Sequence, residues 1–491
     1  MKKGEVPPVP DKDNQCHFFV SRKHRYCSLS ARKGRRYCGE HSHLNVSSSS
    51  VGASESDAAV ASASTTTTVS VRIPCPLDPN HTVEESKLTK HLLKCNARVI
   101  AHPYRVDNVN VARAPLPTVR RVQELTMTEI AALVASVDAA FTAMEDMEGG
   151  PIPTQILTHA SLDERKSQKE NVKHVVQQAS LVGHVERIGG LAGEQHMYVE
   201  FGAGKGELGH YIHRALTWPP PPATTDANDD EPLSSRARFY SIDRSNFRQK
   251  FDRYMEVERL GLDIKDLQLA RVPSLRRYLH LPALDAAPDT SAAPAAIKPV
   301  VAFSKHLCGG ATDLTLLCLH NYEQDVASEL ANLFADSNAA AQAVHSAVIA
   351  MCCHHRCSSD TYLGLEWLAR FGLREADVPI LGQMSGWAIC GERPKKQADN
   401  ADNVGEEEEE PEHEVPEDDD QGVEGSNKGE HYSGMTHAQR EAVGQRVKRV
   451  LDFGRVMWAR GHGMRAHLVR FVERETSLEN CALIVQAPLA Q

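Results

Sequence analysis

The segment Met197-Tyr-Val-Glu-Phe-Gly-Ala-Gly-Lys-Gly-Glu-Leu-Gly209 decides how the rest of the chain is interpreted. Its first five residues are apolar apart from Glu200 and predict a short buried strand. The glycines Gly202, Gly204 and Gly206 let a chain turn sharply and let a ligand approach the bare backbone before a helix begins. The segment therefore predicts an α/β sheet that holds a nucleotide-like cofactor at the carboxyl end of a strand.

The glycine loop by itself is compatible with more than one cofactor. Gly204-x-Gly206-x-x-Gly209 also satisfies the dinucleotide pattern, and a glycine turn that binds nothing is a further alternative. The carboxylate of Glu200, just before the first glycine, suits the cationic amino-acid end of S-adenosylmethionine better than it suits a pyrophosphate. We therefore favour S-adenosylmethionine and keep a NAD-dependent enzyme as the weaker alternative.

Two further carboxylates follow strand-like runs. Arg238 to Asp243 predicts a second strand, and Asp243 at its end is suited to accept the two ribose hydroxyls of an adenosine group. Asp243 lies further from Gly206 than the usual spacing of about 20 residues, and a low-complexity insert over 217–235 explains the difference. A third segment, residues 261–267, contains Asp266. We expect Asp266 either to contact the adenine amino group or to belong to a solvated turn.

Length and composition fit an enzyme with appendages. The chain has 491 residues, and its 41% hydrophobic content is enough for one sizeable core. A Rossmann-like domain is expected over 115–491, interrupted by disordered inserts at about 217–235, 284–299 and 396–434. We expect no signal peptide, because the first residues lack an apolar stretch, and no apolar run of about 18 residues. A soluble intracellular protein of cytoplasm or nucleus, without a membrane partner, is therefore expected.

Two complete sets of four zinc ligands occupy the first hundred residues. The first set lies in a finger expected over 12–45 with spacing C-x10-C-x10-C-x2-H, and the second in a finger expected over 71–99 with spacing C-x5-H-x9-H-x3-C. Three thiolates with one imidazole, or two of each, complete a tetrahedral structural site. We therefore expect two structural Zn²⁺ ions. Their ligands are Cys16, Cys27, Cys38 and His41 in the first finger, and Cys75, His81, His91 and Cys95 in the second.

The distribution of charge favours a polyanionic partner. The net charge is −10, but the segment from Asp399 to Glu430 alone has 15 acidic residues and one lysine. The rest of the chain is therefore slightly positive, with basic segments near both ends. Aromatic side chains among the cations of the first finger could stack on bases, which favours RNA. These are Phe18, Phe19, Tyr26 and Tyr37.

Several long blocks of sequence resemble one family. They are residues 173–184, Ser304-Lys-His-Leu-Cys-Gly-Gly-Ala-Thr-Asp-Leu314, Ala350-Met-Cys-Cys-His-His-Arg-Cys357, Met384-Ser-Gly-Trp-Ala-Ile-Cys-Gly391, 440–455 and 477–480. With the two fingers, they make the chain similar to the eukaryotic tRNA ribose 2′-O-methyltransferases that modify nucleotide 4 of the acceptor stem. The resemblance implies a CCCH finger, a CHHC finger and an S-adenosylmethionine-dependent Rossmann-like methyltransferase domain. Ser358-Ser-Asp360 and Gly386 depart from the pattern of the family.

Ribose methylation transfers a methyl group in line from a sulfonium to a 2′-hydroxyl, so positioning supplies much of the rate. A group that eases loss of the hydroxyl proton adds to it. Val300 to Ser304 predicts a buried strand, and Lys305 and His306 are expected to emerge at its end. We expect Lys305 to lower the pKa of the hydroxyl and His306 to accept its proton. The alternative is that both residues only orient the loop or contact a phosphate.

The segment Cys352-Cys-His-His-Arg-Cys357 follows the next strand, Ala347 to Met351. We favour a loop that shapes the substrate site, with His354 as the alternative proton acceptor. A metal site and a cysteine nucleophile for base methylation also remain open.

The carboxyl-terminal region predicts a helix and a strand. Thr436 and Gln439 match a capping box, and an apolar stripe runs to Gly461. Arginines on this helix could face RNA or solvent, and residues 481–487 predict a late antiparallel strand. The two functional hypotheses are a tRNA ribose methyltransferase and a zinc-finger RNA-binding protein with a catalytically inactive Rossmann scaffold.

Overall fold

The computed structural model describes residues 15–20, 25–27, 30–31, 36–38, 72–95, 98, 102–168, 172–219, 237–245, 251–278, 281, 297–333, 342–389 and 431–488. The chain divides into two compact units, Met1–Ala101 and His102–Gln491. The second unit begins before the expected boundary at residue 115. The reason is that Arg105 pairs with Asp266, and the Asn110 amide donates to the carbonyls of Ile264 and Leu267.

The first unit contains two short hairpins and one short helix. Strands β1 (Phe19–Val20) and β2 (Arg25–Tyr26) are antiparallel, as are β3 (Arg72–Cys75) and β4 (Asp78–Glu84). Helix α1 (Leu88–Leu92) follows β4. His91 lies in this helix, whereas Cys95 lies three residues beyond its end.

A seven-stranded sheet forms the centre of the second unit. Its order is β10-β11-β9-β8-β5-β6-β7, with β5 to β9 mutually parallel and β11 antiparallel to both its neighbours. The order reverses between β5 and β8, where open α/β sheets bind ligands at the carboxyl ends of their strands. The expected Rossmann-like architecture and the late antiparallel strand are confirmed. The strands are β5 (Met197–Phe201), β6 (Arg238–Ile242), β7 (Val257–Leu260), β8 (Val300–Leu307), β9 (Val344–Met351), β10 (Arg465–Arg470) and β11 (Cys481–Gln486).

Alternating side chains of the strands divide the core between the two faces of the sheet. Met197, Val199 and Phe201 of β5 pack in one apolar cluster, whereas Tyr198 packs in the other. Helices cover both faces. They are α2 (Met127–Glu148), α3 (Asp163–Gln168), α4 (Lys173–Arg187), α5 (Glu207–Leu216), α6 (Pro273–Tyr278), α7 (Gly310–Leu333), α8 (Leu365–Ala369), α9 (Val378–Ser385) and α10 (His437–Gly461).

Helix α2 is long and apolar enough to cross a membrane by length and composition, contrary to the expectation that no such run exists. Its contacts are those of a helix in a folded domain. Val137 is buried in the core, and the Asp138 and Glu148 carboxylates pair with Arg446 and Arg460 of α10. A helix surrounded by lipid would have to give up these ion pairs.

The three expected inserts fall largely outside the described residues, which omit 220–236, 282–296 and 390–430. The last residues of the third segment are an exception. His431 and Tyr432 pack their rings near Trp387, and the His431 ring contacts the Ser433 hydroxyl at 2.7 Å. This end of the segment therefore belongs to the folded unit.

Helix α10 begins with the expected capping box, in which Thr436 and Gln439 bond each other's backbone amides. Further along, the helix lies directly against the turn at Trp387 and Ala388. A Cβ atom at Gly444 would stand 2.9 Å from the Trp387 carbonyl carbon and 3.0 Å from Ala388 Cα. The close approach of helix and turn therefore requires glycine at this position.

We expect Gly444→Ala to lower the free energy of unfolding by roughly 1–3 kcal/mol, because the added methyl group meets backbone atoms that cannot rotate away. Gly461→Ala is the matched control in the same helix, since a Cβ there meets nothing within 4 Å. The control should be neutral or slightly stabilising. Urea denaturation of both variants measures the difference. Equal stability of the two variants would contradict the packing described for α10.

Candidate active site and metal centres

The glycine loop joins β5 to α5 at the switch point of the sheet. Gly202, Gly204 and Gly206 have φ values of 65°, 51° and 79°, a region that favours glycine. A Cβ on Gly204 would meet no atom within 4 Å, so open space lies above this residue. The sharp turn and the accessible backbone agree with the sequence prediction.

Glu200 is buried beneath this loop, with 4% of its surface exposed. Its Oε2 accepts a hydrogen bond from the Gly209 amide at 3.2 Å, in the first turn of α5. A Cβ on Gly209 would stand 2.7 Å from that oxygen, so the third glycine of the pattern makes room for the carboxylate. Burial raises the pKa of Glu200 to about 8, against smaller opposing effects of the Gly209 amide and the charges of Arg259 and Lys305.

Asp243 and Arg259 hold the loop from the neighbouring strands. Asp243 Oδ2 accepts a hydrogen bond from the Gly204 amide at 2.9 Å, and its Oδ1 accepts one from the Ser245 amide. Arg259 donates to the Gly204 carbonyl at 2.9 Å and forms a two-pronged pair with Asp252. The structure thus brings Asp243 to the glycine loop, and its contact with ribose hydroxyls stays a prediction. Sequence analysis did not identify Arg259, because it did not predict the strand β7 in which this arginine lies.

Asp266 is buried, so the alternative of a solvated turn is wrong. Its Oδ1 accepts hydrogen bonds from the Asn108 amide and the Lys265 ammonium, both at 2.8 Å. Burial acts to raise the pKa of Asp266, but these hydrogen bonds and the nearby charge of Arg105 bring it below its ordinary value. The contacts hold the segment before α2 against the end of β7, and the adenine contact stays a prediction.

Lys305 and His306 lie inside β8, which extends to Leu307 rather than ending at Ser304. Pairing with β9 shifts between Ser304 and Leu307, so the two residues occupy a bulge. Bulges redirect side chains at the ends of strands. The Lys305 ammonium lies 3.2 Å from His174 Nδ1 of α4, a neighbour that sequence analysis did not identify. The side chain of His306 is outside the described residues.

His354 is buried and contacts a buried carboxylate. It has 1% of its surface exposed, and its Nε2 lies 2.5 Å from Asp452 Oδ1. Although burial opposes it, the contacts with His354 and Arg449 bring the pKa of Asp452 to about 2. A ring committed to a buried carboxylate orients the loop and is poorly placed to accept a proton from substrate.

A cluster of three cysteines lies at the ends of β8 and β9. The sulfur atoms of Cys308, Cys352 and Cys353 all lie within 4.8 Å of one another, and those of Cys308 and Cys352 are 3.1 Å apart. Hydrogen bonds with Cys308 and Cys352 lower the pKa of the Cys353 thiol. Cys357 is separate from the cluster and accepts a hydrogen bond from Arg455 at 3.1 Å. Sequence analysis did not assign Cys308 to any site.

The CHHC set converges as a metal site requires. Cys75 and Cys95 sulfurs are 3.7 Å apart, and the Nε2 atoms of His81 and His91 are 3.0 Å apart. A tetrahedral zinc ion with usual bond lengths needs ligand separations of about 3.3–3.8 Å, so the two imidazoles need to move apart by only about a few tenths of an ångström. These four residues therefore fit one zinc ion, which would hold β3, β4 and the end of α1 together.

In the first finger, the sulfurs of Cys16, Cys27 and Cys38 also lie within 4.8 Å of one another and are buried. Three thiols fit a zinc ion that needs one more ligand. His41, the expected fourth ligand, lies outside the described residues. The first zinc site is therefore supported for three of its four predicted ligands.

Side chains expected to contact RNA are partly committed elsewhere. Phe18 and Tyr37 pack against the three cysteines of the first finger. In α10, Arg446 pairs with Asp138, and Arg449 and Arg455 pair with Asp452 inside the protein. The expectation that these arginines face RNA or solvent is wrong for Arg455, which is fully buried.

Comparison with known proteins identifies all three segments. The family model described as methyltransferase TRM13 matches residues 176–486, the CCCH zinc finger in TRM13 protein matches 14–42, and the U11-48K-like CHHC zinc finger matches 72–96. A Yarrowia lipolytica protein named tRNA:m(4)X modification enzyme TRM13 is 30% identical, covering 96% of this chain and 89% of its own length. The Mus musculus homolog is 29% identical, with coverage of 96% and 94%. The Saccharomyces cerevisiae protein is 28% identical, with coverage of 97% and 96%. No solved structure gives a significant match.

We expect the parent protein to lose stability as pH rises because Glu200 ionises, and we expect Glu200→Gln to abolish this loss. The pKa of this carboxyl is about 8 in the folded protein, against an ordinary value of 4.5. Between these values the folded protein holds a proton that the unfolded chain has lost, so the free energy of unfolding falls as pH rises. The Gln variant should gain roughly 2–5 kcal/mol on the parent between about pH 5 and about pH 8. Calorimetric melting curves measure this, and a constant difference across that range would contradict the assignment.

Proposed function

The chain belongs to the TRM13 methyltransferase family, and we propose that it transfers a methyl group from S-adenosylmethionine to the 2′-oxygen of the ribose of nucleotide 4 in the tRNA acceptor stem. The observation that carries the proposal is the glycine loop, with its three left-handed glycines above a buried Glu200. The names of the relatives, tRNA:m(4)X modification enzymes, support tRNA as substrate and position 4 as target.

The residues of the loop fit S-adenosylmethionine, which when bound would supply an electrophilic methyl group on a sulfonium. Glu200 would bind the cationic amino-acid end, and the bare backbone at Gly204 would admit the ligand. Asp243 lies at the end of β6, where it can turn from the Gly204 amide to ribose hydroxyls. Asp266 is proposed to lie near the adenine while fixing the segment before α2.

Lys305 is proposed to act on the target hydroxyl. It lies in the β8 bulge, and its charge acts to lower the pKa of Glu200 against the larger effect of burial. An ammonium beside the 2′-oxygen would stabilise the negative charge that develops as the hydroxyl loses its proton. His306 is the proposed acceptor of that proton, and His354 is proposed to position the loop through Asp452.

A cysteine nucleophile is the competing chemistry, because base methylation at a pyrimidine ring would use a thiolate. Hydrogen bonding with Cys308 and Cys353, together with burial, raises the pKa of Cys352 well above its ordinary value. This thiol is therefore disfavoured as a nucleophile. Cys353 is the thiol that the cluster favours as a thiolate, so the product of the reaction decides between the two chemistries.

We expect Gly204→Asp to reduce S-adenosylmethionine affinity at least tenfold, because the new carboxylate would fill the open space above the loop. Gly463→Asp is the matched control. Its φ is 81°, a Cβ there also meets nothing within 4 Å, and it lies in the turn after α10. Both substitutions place a non-glycine residue at a positive φ, so the backbone strain they introduce is similar. A difference in S-adenosylmethionine affinity between the two variants, measured by titration calorimetry, therefore comes from the loop itself. Unchanged affinity in a folded Gly204→Asp protein would refute the site, and NADH binding by the parent would favour the dehydrogenase.

We expect Lys305→Ala to lower the rate of methyl transfer by about 10²-fold, the scale of a positioned charge or proton-transfer group. Binding of cofactor and tRNA should change little. Lys166→Ala, a change to a surface lysine of α3 that pairs with Asp163, should leave the rate unchanged. Mass spectrometry of the nucleosides gives the product. A ribose-methylated nucleoside supports the proposal, whereas a methylated base favours Cys353, and no transfer by the parent favours an inactive scaffold.

A further inference from the structure

In addition to the ligands of the two fingers, the sulfur atoms of Cys308, Cys352 and Cys353 converge at the carboxyl edge of the sheet. Cys308 directly follows β8, and Cys352 and Cys353 directly follow β9, the adjacent parallel strand. Neighbouring parallel strands end at the same edge, so residues distant in sequence come together there. All three sulfurs lie within 4.8 Å of one another, as do the described ligand atoms of each finger.

From this convergence we propose that Cys308, Cys352 and Cys353 form a third metal site, which binds a thiophilic ion such as Zn²⁺. Zinc bound by thiolates has Zn–S distances of about 2.3 Å and sulfur separations of about 3.8 Å. Small side-chain rotations bring the 3.1 Å pair Cys308–Cys352 to that separation. All three donors are soft sulfur ligands, the type that selects zinc or copper(I) over magnesium or calcium.

The backbone around the three cysteines is held in place without an ion. Gly309 has a φ of 53°, and a Cβ there would stand 2.6 Å from Arg356 Cβ, so the two loops are in close contact. The Arg455 guanidinium also donates to the Gly309 carbonyl at 3.3 Å. Ligands held on rigid loops lose little freedom when they bind an ion.

A fourth ligand could come from close by in sequence. His355 follows Cys353 by two residues, although its ring nitrogens are not among the atoms that converge within 4.8 Å in the cluster. The Nε2 atom of His355 is buried and has no hydrogen-bond partner among the residues that the structure describes. A buried ring nitrogen without a partner is costly, and a rotation of the His355 side chain toward the ion would satisfy it.

A disulfide is the main competing use of these thiols. It would join only two of the three sulfurs and would need an oxidant, whereas an ion uses all three. The ion would tie the end of β8 to the end of β9, three residues beyond Lys305. The proposal concerns metal binding and does not depend on which group is methylated.

The test is the metal content of the full-length protein, measured by mass spectrometry after removal of loosely bound ions. We expect three ions per chain in the parent and two in Cys353→Ala. The double variant Cys75→Ser with Cys95→Ser should also hold two, and its combination with Cys353→Ala one. Cys318→Ala is the matched control, because Cys318 is a buried cysteine of α7 outside the cluster, and it should hold three. Two ions in the parent would overturn the proposal.

A second measurement avoids variants that fail to fold. In the parent, Cys308 and Cys353 are only half-buried, so an alkylating reagent reaches their thiols when no ion protects them. We expect peptide mass spectrometry to show slow alkylation of both cysteines, becoming at least tenfold faster after a strong chelator is added. Equal alkylation rates with and without chelator, or a disulfide between Cys308 and Cys352 in the native protein, would refute the site.

Discussion

A buried guanidinium fixes the two loops that carry the proposed catalytic and metal-binding residues. Arg455 of α10, 1% exposed, pairs with Asp313 of α7 at 2.7 Å and with Asp452 of its own helix at 3.1 Å. Its remaining hydrogen bonds go to the Gly309 carbonyl and the Cys357 sulfur. Breaking one partner from such a group leaves an unpaired charge in the core, at a cost of roughly 3–5 kcal/mol. The relative position of α10 and the two loops is therefore strongly determined.

The same buried charges hold the two segments at the edge of the sheet where the proposed reaction takes place. Asp452 also contacts His354, so the segment after β9 is held by α10 as well as by its strand. The segment after β8 is held through Gly309. Lys305 and the three clustered cysteines lie on or beside these two segments. A carboxyl-terminal helix thus sets the geometry of a site to which it contributes no proposed catalytic residue.

Sequence reasoning succeeded where local chemistry dictates local structure. The three glycines of the loop had to adopt positive φ for a strand to turn into a helix there, and the spacing of Cys75, His81, His91 and Cys95 has few other uses. Sequence reasoning failed where contacts between distant residues depend on the order of the strands in the sheet. Nothing near Cys308 indicates that β9 is its neighbour.

The burial of the arginines in α10 could have been recognised in part. Arg455 follows Leu451 by four residues, so it lies on the apolar stripe of the helix, and a charge at such a position signals a buried ion pair. The identity of its partner could not be read in this way, because Asp313 lies in a distant helix. The bulge at Lys305 also escaped detection, since it is defined only by the register between β8 and β9.

The position of Glu200 bears on which cofactor the loop can hold. In dinucleotide-binding folds the pyrophosphate lies at the amino terminus of the helix after the loop, where free backbone amides bind the anion. Here the Gly209 amide in the first turn of α5 already donates to Glu200. A pyrophosphate would have to displace a buried carboxyl or lie beside it, whereas a cationic ligand would stabilise its ionised form. The pKa of about 8 shows that burial makes the ionised form of Glu200 costly. The positive charge of the proposed cofactor would offset this cost. The carboxyl proposed to select the ligand therefore also lowers the stability of the empty loop.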